Sequence, residues 1–313
     1  MSKKIVFMGT PEFAVESLKT ILENNIDVAA VVTAPDRPAG RGQQLRQSAI
    51  KEYAVAQNIP VLQPEKLKSE EFISALETIN ADLFVVVAFR MLPEVVWNMP
   101  DKGTINLHGS LLPNYRGAAP INWAVINGEK ETGATTFFIE KEIDTGKIID
   151  SVKIPIGEND SAGNVHDRLM VKGAELLAKT VNEILTSEVK AIAQSEFIEG
   201  ELKDAPKIFK ADCQIDWTKT SSEVHNKIRG MAPYPTAWTK IESDKGLKSI
   251  KLFTSEKITD GKMHSKEIKI DDDLFFGTAD GWVKIIELQL EGKKRMKASD
   301  FIKGFDFSDW KLA

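Results

Sequence analysis

The sequence predicts an α/β protein in which a doubly wound, mostly parallel sheet is followed by a small, OB-like β-barrel. Residues 83–89 (LFVVVAF) are apolar throughout, as in parallel strands that helices cover on both faces. Apolar runs alternate with stretches of helical periodicity through the first half of the chain, the order that produces a parallel sheet. Later, short strand-like segments separated by Gly and Asp turns replace the helices, which is typical of small barrels.

The first half of the chain is predicted to repeat a strand–helix unit. Residues 4–9 form an apolar run that ends at Gly9-Thr10-Pro11, a turn leading into a helix. The predicted strands are 4–9, 27–33 and 83–89, and the predicted helices are 13–23, 48–57, 69–79 and 161–185. Residues 133–139 and 147–154 alternate in polarity and predict a hairpin. Residues 34–47 contain two Pro, two Gly and three Arg, so we expect a surface loop with a function.

The character of the sequence changes near residues 199–210, where a polar stretch containing Pro206 follows the last long helix. Beyond it we predict a helix at 221–229 and strands at 237–242, 250–258 and 282–290. Trp217 and Trp238 are expected in the core of the barrel. We therefore predict two domains, residues 1–204 and residues 205–313.

Composition excludes several classes of protein. The 313 residues are 42% hydrophobic and 28% charged, which provides enough apolar surface to offset chain entropy and excludes disorder as the main state. The apolar runs fall far short of the roughly 20 residues of a membrane helix, and the run before Gly9 is too short for a signal peptide. The single Cys excludes an intramolecular disulfide and fits a reducing cytoplasm.

The net charge of −5 is unevenly distributed. Residues 205–313 contain 20 Lys and Arg against 17 Asp and Glu, whereas residues 1–204 contain 21 against 29. The C-terminal region is therefore the better candidate for binding a polyanion. Differences of this size also occur on ordinary solvated surfaces, so charge alone leaves both interpretations open.

The segment 104–109 (TINLHG) contains the strongest signal for a site. Strand periodicity places Ile105 and Leu107 on one face and Asn106 and His108 on the other. Gly109 allows the chain to turn at once, so both polar groups lie at the carboxyl end of a strand, where open α/β sheets bind ligands. An amide and an imidazole can together hold an oxygen that becomes negative in acyl transfer, and the imidazole can also move a proton. Without further context, the same pair is compatible with ordinary polar residues on an edge strand.

Three longer motifs change that interpretation. HGSLLPNYRG (108–117) and DTG (144–146) make the chain similar to the folate-dependent formyltransferases, and the resemblance extends over nearly the whole sequence. GTPEFA (9–14), APDRPAGRG (34–42) and IDW…IRGMAPYPTAW (215–238) resemble the branch of that family that acts on initiator methionyl-tRNA. The resemblance implies transfer of a formyl group from 10-formyltetrahydrofolate to the α-amine of methionine esterified to that tRNA. It also implies that residues 1–204 bind the folate and the aminoacyl end, and that the barrel binds tRNA.

The resemblance further implies roles for individual residues. Asn106, His108 and Asp144 match the catalytic residues of the family, with Asn106 and His108 holding the oxyanion. Asp144 would support the charged form of His108 and order a water that relays the amine proton. The folate pocket is expected at Phe89, Arg90, Leu92, Ser110, Leu111, Leu112 and Pro113. The family more often has Tyr-Gly where this chain has Phe89-Arg90, so Arg90 is expected to face either solvent or the glutamate tail of the folate.

Basic residues are the candidates for contacts with tRNA. Those in the loop 34–47 are Arg37, Arg41 and Arg46, and those near the barrel are Lys207, Lys210, Arg229, Lys293, Lys294 and Arg295. None of the four His has a spacing typical of a metal site, and we expect neither a metal nor a membrane partner. We expect a monomer in the cytoplasm.

Several alternative functions remain open at this point. A sugar-nucleotide formyltransferase, a glycinamide ribonucleotide formyltransferase and a formyltetrahydrofolate hydrolase could all use the same three residues. The glycinamide enzyme is expected to end near residue 204, and a hydrolase needs water to enter in place of the amine. A nucleic-acid-binding module with an inactive α/β domain is a further possibility, against which the intact Asn106, His108 and Asp144 speak.

Overall fold

The computed structural model describes residues 3–39, 44–244, 246–307 and 309–313. The strands of the first half are β1 (Lys4–Gly9), β2 (Asp27–Val32), β3 (Arg37–Ala39), β4 (Gln44–Arg46), β5 (Val61–Leu62), β6 (Leu83–Val87), β7 (Thr104–His108), β8 (Arg116–Gly117), β9 (Glu131–Phe138) and β10 (Ile148–Pro155). The helices of this region are α1 (Glu12–Glu23), α2 (Ala49–Ala56), α3 (Glu70–Ile79), α4 (Glu94–Trp97), α5 (Pro120–Ile126) and α6 (Ala162–Thr186).

The second half contains mainly strands. They are β11 (Asp204–Ala205), β12 (Ala237–Ser243), β13 (Gly246–Thr259), β14 (Ile268–Ile270), β15 (Leu274–Gly277), β16 (Gly281–Leu290), β17 (Met296–Lys297) and β18 (Lys311–Leu312). The α-helices are α7 (Ser221–Met231) and α8 (Ala298–Phe301), and short 3₁₀ turns lie at Gln194–Phe197 and Ala211–Cys213.

The chain divides into two compact units. The first consists of Met1–Arg116, Gly133–Ile154 and Arg168–Lys203, and the second of Gly117–Thr132, Pro155–Asp167 and Asp204–Ala313. The functional boundary at residue 204 stays a prediction. No helix in the described part of the chain is both long and apolar enough to cross a membrane.

The first unit is built on one sheet with the strand order β10-β9-β7-β6-β1-β2-β5. β7, β6, β1, β2 and β5 run parallel, whereas β9 is antiparallel to β7. All five residues of β6 are buried, because a central parallel strand is covered on both faces. The predicted doubly wound α/β sheet is therefore confirmed.

Local sequence signals explain where the helices begin and end. The Ser48 hydroxyl caps α2 by accepting from the Lys51 backbone N–H at 3.3 Å. α3 ends at Asn80, which adopts the left-handed conformation that asparagine tolerates (φ 47°). These helices match the predicted ones to within one or two residues at each end.

The core of the first unit lies between the sheet and the helices on its faces. One cluster joins Val6 and Met8 of β1 to Phe84 of β6 and to Phe72 and Leu76 of α3. Burying each of these large side chains stabilises the fold by about 1.5–3 kcal/mol. The apolar runs of the sequence are thus the strands and helix faces of this core.

The second unit contains an antiparallel sheet in the order β14-β15-β16-β13-β12-β18, with β17 paired to β16. The Leu312 N–H of β18 donates to the Lys266 carbonyl just before β14 at 3.3 Å, so the sheet is a nearly closed barrel. Its core includes Trp217, which is 3% exposed and meets Phe276 edge-to-face at 5.3 Å between ring centroids. The predicted C-terminal barrel is confirmed, with Trp217 in its core and Trp238 partly buried against it.

The fold contains elements that the sequence analysis did not predict, and two regions illustrate this. The loop 34–47 contains an antiparallel ladder, because Arg37 and Pro38 of β3 pair with Arg46 and Leu45 of β4. The barrel contains β14 and β15, which the sequence analysis did not predict. β14 has only three residues, two of them exposed, so the polar–apolar alternation there is too brief to recognise.

Candidate active site

Strand β7 places an amide and an imidazole side by side at the carboxyl edge of the sheet. Ile105 and Leu107 are 0% and 4% exposed on one face, whereas Asn106 and His108 share the other face because side chains alternate along a strand. Asn106 is half-buried, and its side-chain amide makes no hydrogen bond to any residue in the described part of the chain. Its N–H groups are therefore available to a ligand at this edge.

The His108 imidazole is fixed by a backbone group. Its Nε2 lies 2.8 Å from the Tyr115 carbonyl oxygen, and the residue is 7% exposed. Because a carbonyl oxygen can only accept, Nε2 must carry the hydrogen, and in the neutral ring Nδ1 holds the lone pair. Nδ1 is consequently the nitrogen that remains for chemistry. A neutral His108 can accept a proton there, and a protonated His108 can donate from it.

Asp144 faces that same nitrogen. Its carboxylate Oδ2 lies 3.8 Å from His108 Nδ1, and its side chain is 13% exposed. The distance suits an ion pair with a protonated imidazole but is too long for a direct hydrogen bond. The structure thus brings together the three residues that the sequence analysis assigned to catalysis.

The turn between β9 and β10 has an unusual backbone that presents Asp144. Asp144 adopts φ 55°, a left-handed conformation that Asp tolerates better than most residues. Two residues later, a Cβ on Gly146 would lie 1.7 Å from the Phe138 carbonyl oxygen. The sequence Asp-Thr-Gly therefore meets two local backbone requirements.

The segment after β7 is held by buried hydrogen bonds. The Ser110 hydroxyl donates to the Asn114 carbonyl at 2.7 Å, and the Thr135 hydroxyl donates to the Ser110 carbonyl at 2.7 Å. The Leu112 N–H donates back to the Thr135 hydroxyl at 3.2 Å. Ser110 is 0% exposed, so its side chain supports the loop.

The other predicted folate residues lie along the same edge, because β6 and β7 are parallel neighbours. Leu92 and Leu112 are buried in apolar clusters, and Pro113 is also buried. Phe89 and Leu111 are half-buried. The assignment of the folate pocket to these residues stays a prediction.

Arg90 is only partly exposed. Its Nη2 donates to the Pro64 carbonyl at 2.8 Å and its Nη1 to the Glu65 carbonyl at 3.2 Å. Partial burial, followed by repulsion from Arg37, lowers the pKa of Arg90 below its usual value. Arg90 and Arg37 therefore contribute positive charge to one region of the first unit.

Two of the three arginines of the loop 34–47 lie among the described residues. Arg37 and Arg46 are exposed and directly opposite each other in the β3–β4 ladder. Arg41 lies outside the described residues. The pairing of Arg37 with Arg46 places two like charges at opposed positions of the ladder, an arrangement that an anionic partner would stabilise.

The predicted tRNA-binding residues of the second unit fall into two groups. Lys207, Lys210, Lys293 and Lys294 are exposed. Arg295 is bound at 2.5 Å to Glu287 and lies over the Phe253 ring at 4.1 Å. Arg229 is 6% exposed and donates to the carbonyls of Gly157 and Asp160, so its guanidinium holds the unit together.

Sequence reasoning missed two groups that shape the site. The Tyr115 carbonyl has no sequence signature, since every residue has a carbonyl. Gln194 binds the Asp144 turn through its side-chain amide, but it lies in a short 3₁₀ turn without any motif. A buried amide can be recognised only once the fold is known.

Comparison with known proteins identifies the family. A family model described as formyl transferase matches residues 3–181, and one described as formyl transferase, C-terminal domain, matches residues 207–306. Among solved structures, the chain resembles the sugar 3N-formyl transferase WlaRD, determined with dTDP and 5-N-formyl-THF. The TM-score is 0.66 at 21% identity, over 94% of this chain and 100% of that one; this likeness concerns the fold.

Curated relatives are much more similar in sequence. A methionyl-tRNA formyltransferase of Bacteroides thetaiotaomicron is 52% identical over 320 residues, covering 98% of this chain and 97% of the relative. A protein of the same name from Azobacteroides pseudotrichonymphae is 53% identical over 309 residues, covering 96% and 95%. With both family models matched and this identity extending over nearly its full length, the chain belongs to the methionyl-tRNA formyltransferase family of formyl-transfer enzymes.

Proposed function

We propose that Asn106, His108 and Asp144 transfer a formyl group from 10-formyltetrahydrofolate to the α-amine of initiator methionyl-tRNA. The products are N-formylmethionyl-tRNA and tetrahydrofolate. The observation that carries the proposal is the placement of His108 Nδ1 3.8 Å from the Asp144 carboxylate, on the same face as Asn106. Membership of the methionyl-tRNA formyltransferase family supports the choice of substrate and does not favour the sugar, glycinamide or hydrolase alternatives.

The site has features that fit a formylated folate. The Asn106 amide is half-buried and has no partner among the described residues, so it suits an oxygen that gains negative charge. Met91, at the same edge, is 71% exposed, and Leu111 and Phe89 are half-buried. We assign these apolar side chains, with the backbone of residues 110–113, to contact with the folate ring. The resemblance to a sugar formyltransferase determined with 5-N-formyl-THF is consistent with a folate site on this fold.

The proposed reaction assigns one task to each residue. The amine nitrogen forms a bond to the formyl carbon, and the bond from that carbon to N10 of the folate breaks. Asn106 donates an N–H to the formyl oxygen as negative charge develops on it. A water beside Asp144 relays the proton that the amine loses to His108 Nδ1, and the protonated His108 then returns a proton through this water to N10, the leaving group. Asp144 balances the charge of the protonated imidazole. The proposed reaction has no step for a metal ion.

Seven basic residues are the proposed contacts with the tRNA phosphates. We assign Arg37, Arg41 and Arg46 to the acceptor end, and Lys207, Lys210, Lys293 and Lys294 to the second unit's contacts. Arg229 and Arg295 are left out of this set because their guanidinium groups already bind protein acceptors. We propose that the enzyme acts as a monomer in the cytoplasm, on free charged tRNA.

A parallel assay tests the choice of substrate. The enzyme is given 10-formyltetrahydrofolate with methionyl initiator tRNA, with glycinamide ribonucleotide, or with water alone, and formyl transfer or formate release is measured. We expect rapid transfer to the tRNA and only background rates in the other two reactions. Transfer to glycinamide ribonucleotide, or formate release without an amine, at the rate seen with tRNA would contradict the proposal.

A further inference from the structure

We propose that Gln194 is a positioning residue, one that fixes the turn carrying Asp144 relative to His108. The inference rests on the proposed function and concerns a side chain whose hydrogen bonds go to Arg116 and to the carbonyls of Asp144 and Gly146. All groups in the argument belong to the first compact unit. Gln194 is 3% exposed, so its amide must be satisfied within the protein.

Gln194 uses its complete hydrogen-bonding capacity. Its Nε2 donates to the Asp144 carbonyl and to the Gly146 carbonyl, both at 2.8 Å. Its Oε1 accepts from Arg116 Nε at 3.0 Å and from Arg116 Nη2 at 2.6 Å. An amide has two N–H donors and an oxygen with two lone pairs, and each has a partner here. One side chain therefore joins the Asp144 turn to Arg116.

Arg116 continues this connection to His108. It directly follows Tyr115, whose carbonyl accepts from His108 Nε2 at 2.8 Å, and the Tyr115 N–H donates to the Lys203 carbonyl at 2.5 Å. The connection runs from His108 through Tyr115, Arg116 and Gln194 to Asp144. It returns to His108 across the 3.8 Å between Nδ1 and Oδ2. Hydrogen bonds and the peptide bond between Tyr115 and Arg116 thus connect His108 to the turn that carries Asp144.

Glutamine suits this position because its amide supplies both donors and acceptor at the required length. Glutamate keeps the acceptor for Arg116 but has no N–H for the two carbonyls, and methionine has the length but neither function. The turn needs this support, because Asp144 has φ 55° and Gly146 lies against the Phe138 carbonyl. Without the two bonds from Nε2, the turn relaxes and the Asp144 carboxylate moves away from His108. A displacement of about 1 Å in a reacting group can reduce a rate by about 10²-fold.

The test compares two variants of Gln194 with a control. Gln194→Met removes both functions, whereas Gln194→Glu keeps the bond to Arg116 and removes those to the turn. Thr180→Val is the matched control, since Thr180 is fully buried in the same unit and bonds to Thr136 Oγ1 at 3.0 Å and to the Leu176 carbonyl at 2.9 Å. The measurements on the full chain are kcat and KM for both substrates, the pH dependence of kcat, the thermal midpoint, and hydrogen exchange.

Both Gln194 variants are expected to lower kcat by about 10²-fold, to leave each KM within about twofold, and to alter the pH dependence of kcat. Exchange should rise in residues 139–147. Thr180→Val should lower the thermal midpoint while kcat and its pH dependence stay as in the wild type. If Gln194→Met behaves like Thr180→Val, or if Gln194→Glu keeps wild-type kcat, the positioning role is wrong.

Failure of the proposed function gives a different result. A wild-type enzyme that transfers no formyl group to methionyl-tRNA contradicts the function, and the exchange data then decide the role of Gln194 by themselves. Unchanged exchange in residues 139–147 of Gln194→Met overturns the inference in either case.

Discussion

The chemistry of His108 is decided by a backbone carbonyl. A neutral imidazole has one N–H. The hydrogen bond from Nε2 to the Tyr115 carbonyl, at 2.8 Å, places that hydrogen on Nε2. In that neutral ring, Nδ1, the nitrogen facing Asp144, is an acceptor. His108 can donate to the formyl oxygen from Nδ1 only when its ring is protonated, whereas the Asn106 amide can donate in either state of that ring.

A second buried histidine, His225, lies outside the candidate site and affects stability. His225 is 2% exposed on α7, where its Nδ1 lies 3.0 Å from the Ser255 hydroxyl and its Nε2 lies 3.3 Å from the Glu158 carbonyl. Burial, together with the charges of Arg229 and Lys257, lowers the pKa of His225. The neutral ring therefore belongs to the folded state.

His225 should make the stability of the protein depend on pH. The imidazole of an unfolded His titrates near pH 6.5. Below about that pH, His225 therefore binds a proton in the unfolded chain more readily than in the folded one. The stabilisation is present above this pH and is lost as the pH falls. We predict that His225→Gln flattens the dependence of the free energy of unfolding on pH between about 5 and 8, measured by urea unfolding. Equal slopes for the wild type and His225→Gln would contradict the prediction.

At the level of elements, a long periodic pattern was sufficient to predict a strand or helix, whereas short elements could not be predicted from their pattern. The buried run of β6, the alternation in β7 and the helix α6 are long enough for their residue pattern to predict them. The three-residue strands β3, β4 and β14 exist because neighbouring strands pair with them. Each has only three residues, too few for a recognisable alternation, so tertiary pairing decides their structure.

The same contrast applies to the candidate site. Asn106 and His108 could be predicted because a strand and a glycine turn place them at one edge, and Asp144 because it belongs to a family motif. The hydrogen bonds from Gln194 reach Asp144 and Gly146, which lie 50 and 48 positions earlier in the sequence. Such a contact depends on how the segment after α6 returns to the site, which the local sequence does not determine.

At the level of the whole molecule, the two parts of the chain differ in the sign of their net charge. The region from 205 onward has an excess of basic residues, and residues 1–204 have an excess of acidic ones. Binding a polyanion to a chain of net charge −5 therefore depends on local basic surfaces. The exposed pair Arg37 and Arg46 is one such surface, and Lys293 with Lys294 is another.

Arg37→Ala should weaken tRNA binding in a salt-dependent way. Each phosphate contact contributes about 0.7–0.9 to the slope of log affinity against log salt. We predict a higher KM for methionyl-tRNA and a salt slope reduced by about 1, with KM for the folate unchanged. Lys19→Ala, on helix α1 beside Glu16, is the control and should leave the slope as it is. An effect of Arg37→Ala on the folate alone would refute the assignment.

The most direct test of the site is the single-turnover rate of formyl transfer by His108→Gln. The glutamine amide can still donate to the Tyr115 carbonyl, so the fold and substrate binding should be retained, but it cannot accept a proton at the position of Nδ1. We predict a rate lower by about 10²–10⁴-fold, the usual contribution of a positioned proton acceptor. A folded variant that transfers the formyl group to methionyl-tRNA at the wild-type rate would contradict the account.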